Sequence, residues 1–290
     1  MTPSESKELA GKPGRKIEGS ERRKLALLVM ILMVASASLA CGASQTSGNQ
    51  TNATQANAAA ASPTPQATPE QPVTITEGDV TITPIMHASL QLEYGGKVIQ
   101  VDPTGQGDYT KAKQADLILV TDIHGDHLDP AAISSIRKAG APVVAPAAAA
   151  PKIENPTVLA NGESKTVAGV SIEAVPMYNL QRGPEPGQFF HTKGRGNGYI
   201  LSLGGKRVYI AGDTECTPEM RALKNIDVAF IPMNLPYTMP PSEAAECVKA
   251  FKPKVVYPYH YRGQNTEEFK TALSGEKIEV RLLNWYPEKK

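Results

Sequence analysis

An α+β fold, two packed β-sheets with helices on the outside, is what the sequence predicts. Two observations carry this reading. Short apolar/polar alternating segments joined by Gly-Gly or Gly turns fill both halves of the chain after about residue 73. Helical patterns follow the strand-rich part of each half, so the elements sort into sheets with helices laid on them. No short repeat period is present, which disfavours a solenoid.

Val73-Thr74-Ile75-Thr76 and Val80-Thr81-Ile82-Thr83 alternate as half-buried strands do. Residues 90–94 and 97–101 flank Gly95-Gly96 and predict a hairpin. Leu117-Ile118-Leu119-Val120 is an unbroken apolar run, expected of a strand buried on both faces. A helix is predicted over residues 130–139, with Asp129 as N-cap, Pro130 in its first turn and Gly140 ending it. Val143-Val144 reads as a brief strand. In the second half, residues 167–175 predict a hairpin at Gly169, and residues 198–203 and 206–211 another at Gly204-Gly205. Residues 228–231, 254–257 and 278–283 read as strands. Residues 242–251, with Ser242 as N-cap, and 266–273 read as helices.

The region before residue 73 has a different texture. Residues 1–24 are polar and basic, residues 25–40 are apolar, and Cys41-Gly42 follows, the arrangement of an export signal. The apolar run is shorter than the ~20 residues of a usual spanning helix. Ala37-Ser38-Leu39-Ala40-Cys41 resembles a bacterial lipoprotein cleavage site, with Ser38 where a Leu is usual. A lipidated Cys41 is favoured over a cleaved secretory signal or an uncleaved anchor. This predicts an exported, membrane-anchored protein facing the periplasm or exterior. Residues 42–72 are nearly all Ala, Ser, Thr, Gln, Asn, Pro and Gly, too polar to offset their ordering entropy by burial, and read as a flexible tether. The expected organisation is therefore a signal or anchor over 1–41, a linker over 42–72 and a globular domain over 73–290.

The chain of 290 residues has a formal net charge of +1, so no global field draws in nucleic acid, and none is expected as a partner. Its three cysteines are too few for a disulfide scaffold. Export would allow Cys216 and Cys247 to pair. Spacing alone does not show that they meet, and a small buried hydrophobe is the ordinary role for Cys216.

Chemistry concentrates in Thr121-Asp122-Ile123-His124-Gly125-Asp126-His127-Leu128-Asp129, directly after the buried strand. Four potential metal ligands, Asp122, His124, Asp126 and His127, fall in this turn, at alternate spacings that suit two adjacent ions better than one. The competing reading is a polar turn with capping carboxylates. Such a turn would have little reason to hold two of the chain's five histidines.

This stretch resembles the His-x-His-x-Asp-His signature of the metallo-β-lactamase superfamily, with Asp122 in place of the first His. Val101-Asp102-Pro103, His191 in Phe190-His191-Thr192, Ala211-Gly212-Asp213-Thr214 and Tyr259-His260-Tyr261 resemble the later motifs in order. The early His87-Ala88-Ser89 is similar to a segment of the lactonase-like and phospholipase-D-like branch. The resemblance implies a four-layer αββα sandwich with the site along one edge of the sheets. It places one divalent metal on Asp122, His124 and His191, a second on Asp126, His127 and His260, and Asp213 between them. Asp126 and Asp213 are the carboxylates it assigns to catalysis.

The chemistry implied is hydrolysis of an ester, lactone or phosphodiester in a small molecule by a metal-ionised water. The alternative is a metal- or ligand-binding lipoprotein that kept the fold and lost turnover. Zinc suits such donors, whereas Asp122 adds negative charge and favours manganese or iron, or leaves the first position impaired. Asn179 rivals His191 as the ligand from the long loop over residues 178–198. Asp102 is either a residue supporting a ligand or a strand-end turn carboxylate. His87 is either a structural or a pocket histidine. Arg182, Lys193 and Arg195 either bind an anionic group of the substrate or belong to a solvated loop. Residues 232–241 form either an apolar pocket wall or satellite core.

Overall fold

The computed structural model describes residues 75–287; the proposed signal, Cys41 and all of the proposed tether over residues 42–72 lie outside them. The first sheet contains β1 (Ile75–Glu77), β2 (Val80–Met86), β3 (Ser89–Tyr94), β4 (Lys97–Val101), β5 (Leu117–Leu119), β6 (Val143–Ala145) and β7 (Thr157–Val158), ordered as in the chain. β1 to β4 are antiparallel neighbours, and β4 to β7 run parallel. The second sheet repeats the scheme with β8 (Ser164–Val167), β9 (Val170–Met177), β10 (Gly196–Leu203), β11 (Lys206–Ile210), β12 (Val228–Pro232), β13 (Val255–Tyr259) and β14 (Glu279–Val280). β8 to β11 are antiparallel and β11 to β14 parallel.

Period-two patterning builds the centre. Ile82, Leu90, Leu92, Ile99 and Leu119 of the first sheet meet Ile172, Tyr199, Leu201, Ile210 and Phe230 of the second in one buried cluster. The opposite faces are also apolar. Ile118, Val120 and Val143 pack with Ile133 and Ile136 of helix α1 (Pro130–Ile136). Ile200, Tyr209 and Ala229 pack under α2 (Pro218–Arg221), α3 (Pro241–Phe251) and α4 (Thr266–Ala272). The order is helix, sheet, sheet, helices: the αββα sandwich expected. Among the described residues no helix is long and apolar enough to cross a membrane.

The glycine hairpins form where expected, with Gly95 and Gly96 both at positive φ. Several boundaries differ. α1 stops at Ile136, short of Gly140, because Arg137 turns extended and its backbone bridges to Ala115. Ser242 lies inside α3 and caps nothing; the chain enters through Pro240 and Pro241. The last strand is only Glu279–Val280. Cys216 and Cys247 form a disulfide with Cα atoms 5.5 Å apart, so Cys216 is neither a free hydrophobe nor a metal ligand.

Candidate metal centre

The first sheet's parallel strands β4 and β5 end at Asp102 and at the loop that starts with Thr121 and Asp122. β11 and β13 of the second sheet end at Asp213 and His260. Parallel strands all present their carboxyl ends at one edge, and there the backbone can splay to hold ligands. His87 sits in the turn between β2 and β3 and meets the same edge: its carbonyl accepts the His260 N–H at 3.1 Å. His87, Asp102 and His260 all adopt positive φ (56°, 46° and 49°), a costly conformation for residues with side chains.

Two donor groups form. One is Asp126, His127, Asp213 and His260; the other is Asp122, His124 and His191. Within each, one potential ligand atom per residue lies within 4.8 Å of the others. Asp213 joins the groups: its Oδ2 is 3.3 Å from both His127 Nε2 and His191 Nε2, and its Oδ1 is 3.2 Å from His260 Nε2. Asp126 Oδ2 stands 3.4 Å from His260 Nε2.

None of these contacts is aligned as a hydrogen bond. Nε2 of His127, His191 and His260, Oδ1 of Asp122 and Oδ1 of Asp213 are all buried without a hydrogen-bond partner. Buried polar atoms are normally paired, so these orphans, four of them on residues that meet around Asp213, mark a place for a cation. Imidazole and carboxylate donors suit borderline divalent metals. The residues present therefore fit a divalent metal, in two candidate donor groups.

Behind the donors, the imidazoles of His127 and His191 are each fixed by a partner at Nδ1. Asp102 is fully buried; it accepts the Thr121 N–H at 2.7 Å and the Thr121 hydroxyl at 2.6 Å, and faces His127 Nδ1 at 2.9 Å. A carboxylate at Nδ1 keeps the proton there and turns the Nε2 lone pair to the centre. Asn179 does the same for His191, its Oδ1 lying 2.8 Å from Nδ1. Asn179 thus backs His191 and does not compete with it. Its amide is held in turn by Glu215 and by the Tyr237 carbonyl. His87 Nε2 lies 3.3 Å from Asp126 Oδ2, its Nδ1 lies 2.6 Å from the Tyr286 hydroxyl, and its ring is 3.6 Å from that of His260.

Charge follows this geometry. Burial works to raise the Asp213 carboxyl, but His260 and His127 outweigh it and hold it well below the usual range. Burial likewise opposes charge on His127, while Asp213 and Asp102 raise it well above an ordinary histidine. Asp122 is held down to about 2: burial acts against this, and His124, His127, His191 and Arg195 prevail. Burial lowers His87 to about 4, so its ring is neutral near pH 7.

Gly212 is required beside Asp213. Its φ is +67°, and a Cβ there would stand 2.4 Å from Met177 Sδ and 3.1 Å from Thr121 Cβ.

The cationic residues of the long loop are committed within the protein. Arg182 pairs with Glu243 at 2.6 Å and Glu215 at 3.4 Å, so its place is in an ion-pair network and not on a substrate. Lys193 is exposed, 2.5 Å from Glu219 and above the Tyr178 ring. Arg195 lies on Asp122 at 3.0 Å. Sequence reasoning passed over Glu215. Fully buried, it accepts the N–H groups of Leu180, Gln181 and Arg182 and so anchors the start of the loop that carries His191. Its place two residues after Asp213 was the one available signal.

Comparison with known proteins adds to this geometry. Residues 81–260 match the family model described as "Beta-lactamase superfamily domain". The chain is 37% identical over 216 residues to a UPF0173 metal-dependent hydrolase of Thermococcus kodakarensis, covering 68% of this chain and 93% of the relative. It is 32% identical to a UPF0173 metal-dependent hydrolase of Methanopyrus kandleri, covering 70% and 96%. Among solved structures, a protein of Parabacteroides distasonis assigned as a metal-dependent hydrolase superposes with a TM-score of 0.68 at 45% identity, covering 73% of this chain and 98% of that one. Igni18, a metallo hydrolase of Ignicoccus hospitalis, superposes with a TM-score of 0.58 at 25% identity, covering 70% and 94%.

Proposed function

Because the chain belongs to the β-lactamase superfamily and, within it, to the UPF0173 metal-dependent hydrolases, we propose that it is a metal-dependent hydrolase acting on a small molecule. The bond cleaved is an ester, lactone or phosphodiester, and two divalent cations take part. The observation that carries this reading is the pair of donor groups joined through Asp213, with their orphaned buried atoms.

When bound, the cations would supply Lewis-acid polarisation of the scissile bond and acidification of a water. Asp122, His124 and His191 would hold one cation, and Asp126, His127 and His260 with Asp213 the other; Asp213 Oδ2, 3.3 Å from His191 Nε2, would also be within reach of the first. Asp102 and Asn179 keep protons on Nδ1 of His127 and His191, so that the lone pairs stay on the reacting side. Asp126 is the most exposed carboxylate of the centre, with 33% of its side chain accessible against 4% for Asp213 and none for Asp122. His87 Nε2, 3.3 Å from its Oδ2, orients this carboxylate, which is exposed enough to hold or move a proton of the attacking water. Asp126 and Asp213 are therefore the catalytic carboxylates of this reading.

The test is hydrolysis of generic lactone, ester and phosphodiester substrates by the purified protein with zinc, manganese or iron. Turnover that disappears in Asp213→Ala and His260→Ala, with folding intact, is expected. Two bound metals with no turnover on any substrate would favour the binding-protein alternative. Turnover unchanged in both variants would remove the site. The first 41 residues support export and lipid anchoring at Cys41. Cys41→Ser should then release the protein from the membrane fraction, and retention would overturn that part.

A further inference from the structure

The two donor groups differ in how they are supported. The Asp126–His127–Asp213–His260 group has four donors, with Asp102 behind His127 and His87 behind Asp126. The other group has three donors, and its carboxylate is already engaged. Arg195 Nη2 donates to Asp122 Oδ2 at 3.0 Å, and His124 Nδ1 lies 2.8 Å from the same oxygen. The guanidinium is held for this contact: Nη1 donates to the Phe190 carbonyl at 2.7 Å, and the Arg195 N–H closes a turn onto Thr192 at 3.1 Å. Among the described residues this is the only ion pair Arg195 makes. Asp122 has no accessible surface, so solvent screens the pair weakly.

Asp122 is the residue at which the chain departs from the superfamily signature, a carboxylate standing where the pattern has a neutral imidazole. A carboxylate paired with a guanidinium is, as a pair, as neutral as that imidazole. We propose that Arg195 is the built-in counter-ion of Asp122, and that it makes the Asp122–His124–His191 position the weaker, exchangeable member of the metal pair. This rests on the two-cation reading above. Arg195 offsets the charge by which Asp122 would otherwise favour manganese or iron over zinc. A cation entering this position competes with the guanidinium for Asp122 Oδ2, the oxygen 3.9 Å from His191 Nε2, whereas the group at Asp126 Oδ2 is the neutral His87 ring and carries no opposing charge. Arg195 thus acts through Asp122 and is a positioning residue.

All five histidines of the chain are His87, His124, His127, His191 and His260, so imidazole NMR reports on the centre alone. Zn2+ is titrated into the chelator-stripped full chain while these five rings are followed. In the wild type the first equivalent should shift His127 and His260, and the second His124 and His191. In Arg195→Gln the second midpoint should tighten by about tenfold, since an opposite charge at this range alters a carboxylate's cation binding by at least that order. Arg195→Lys, which keeps the charge, should stay near the wild type.

If His124 and His191 respond to the first equivalent in the wild type, or Arg195→Gln leaves the second midpoint unmoved or weaker, the proposal is overturned. Should Arg195→Gln fail to fold, the wild-type order of filling decides. Absence of any Zn2+ binding would overturn the two-cation reading itself, and is distinguishable from both results.

Discussion

Asp102→Asn separates support of a ligand from mere packing, because it changes charge and donor pattern at nearly constant shape. Asparagine Oδ1 can still accept the Thr121 N–H, now taken by Asp102 at 2.7 Å. Its amide NH2 then faces His127 Nδ1, where a carboxylate oxygen stands at 2.9 Å. A donor opposite Nδ1 drives the proton to Nε2, and Nε2 is the atom turned to the metal centre 3.3 Å from Asp213. The loss of a partner of this kind costs about 10–100-fold in metal affinity. The stripped protein loses one charge-assisted hydrogen bond, about 1–3 kcal/mol. Asp102→Ala leaves the Thr121 N–H and His127 Nδ1 without their shared carboxylate and should cost about 3–5 kcal/mol. Urea unfolding of the stripped proteins gives the stability term, and calorimetric titration with Zn2+ gives the affinity. A folded Asp102→Asn protein that binds zinc as the wild type does would refute the tautomer argument.

Gly212→Ala combines a left-handed backbone, costing about 1–2 kcal/mol, with overpacking against Met177 and Thr121, costing about 1–3 kcal/mol. A urea midpoint within error of the wild type would show that this turn is not constrained. Away from the site, Asp227 accepts the Arg207 N–H at 2.8 Å and pairs with Lys254 at 2.7 Å. Burial works to raise its carboxyl, and Lys254 and Arg207 hold it below the usual value. A depressed carboxyl contributes stability above its unfolded pKa and loses it as pH falls through the folded one. Asp227→Asn should therefore be destabilised by no more than about 1 kcal/mol at pH 7, since Lys254 is largely exposed. The difference from wild type should shrink as pH falls through the depressed folded-state titration of Asp227; a difference that grows on acidification would contradict the sign.

Features of the fold encoded in short stretches were readable from the sequence. Gly95-Gly96 and Gly204-Gly205 announce hairpins because only such residues take two successive positive φ values cheaply. The run from Leu117 to Val120 announces a strand covered on both sides, and in the structure Leu117 and Leu119 face one cluster while Ile118 and Val120 face another. Features set by distant partners were not readable. The end of α1 depends on Ala115 pairing with Arg137, and Pro240-Pro241 displaces the cap expected at Ser242. α2 was missed although Thr217-Pro218 carries a capping signal, because it spans only Pro218–Arg221. At the site, the donors clustered in one turn were visible as a group. Arg195 meets Asp122 across 73 positions of chain, and Cys216 meets Cys247 across 31, which no local pattern encodes.

The account turns on Asp213 serving two cations at once. Elemental analysis of metal bound per chain, after stripping and reloading with excess Zn2+ or Mn2+ and removal of free ion, tests this most directly. Two ions per wild-type chain, and fewer than one in Asp213→Ala, is the expected result. No metal retained by the wild type, or an undiminished pair in Asp213→Ala, would contradict it.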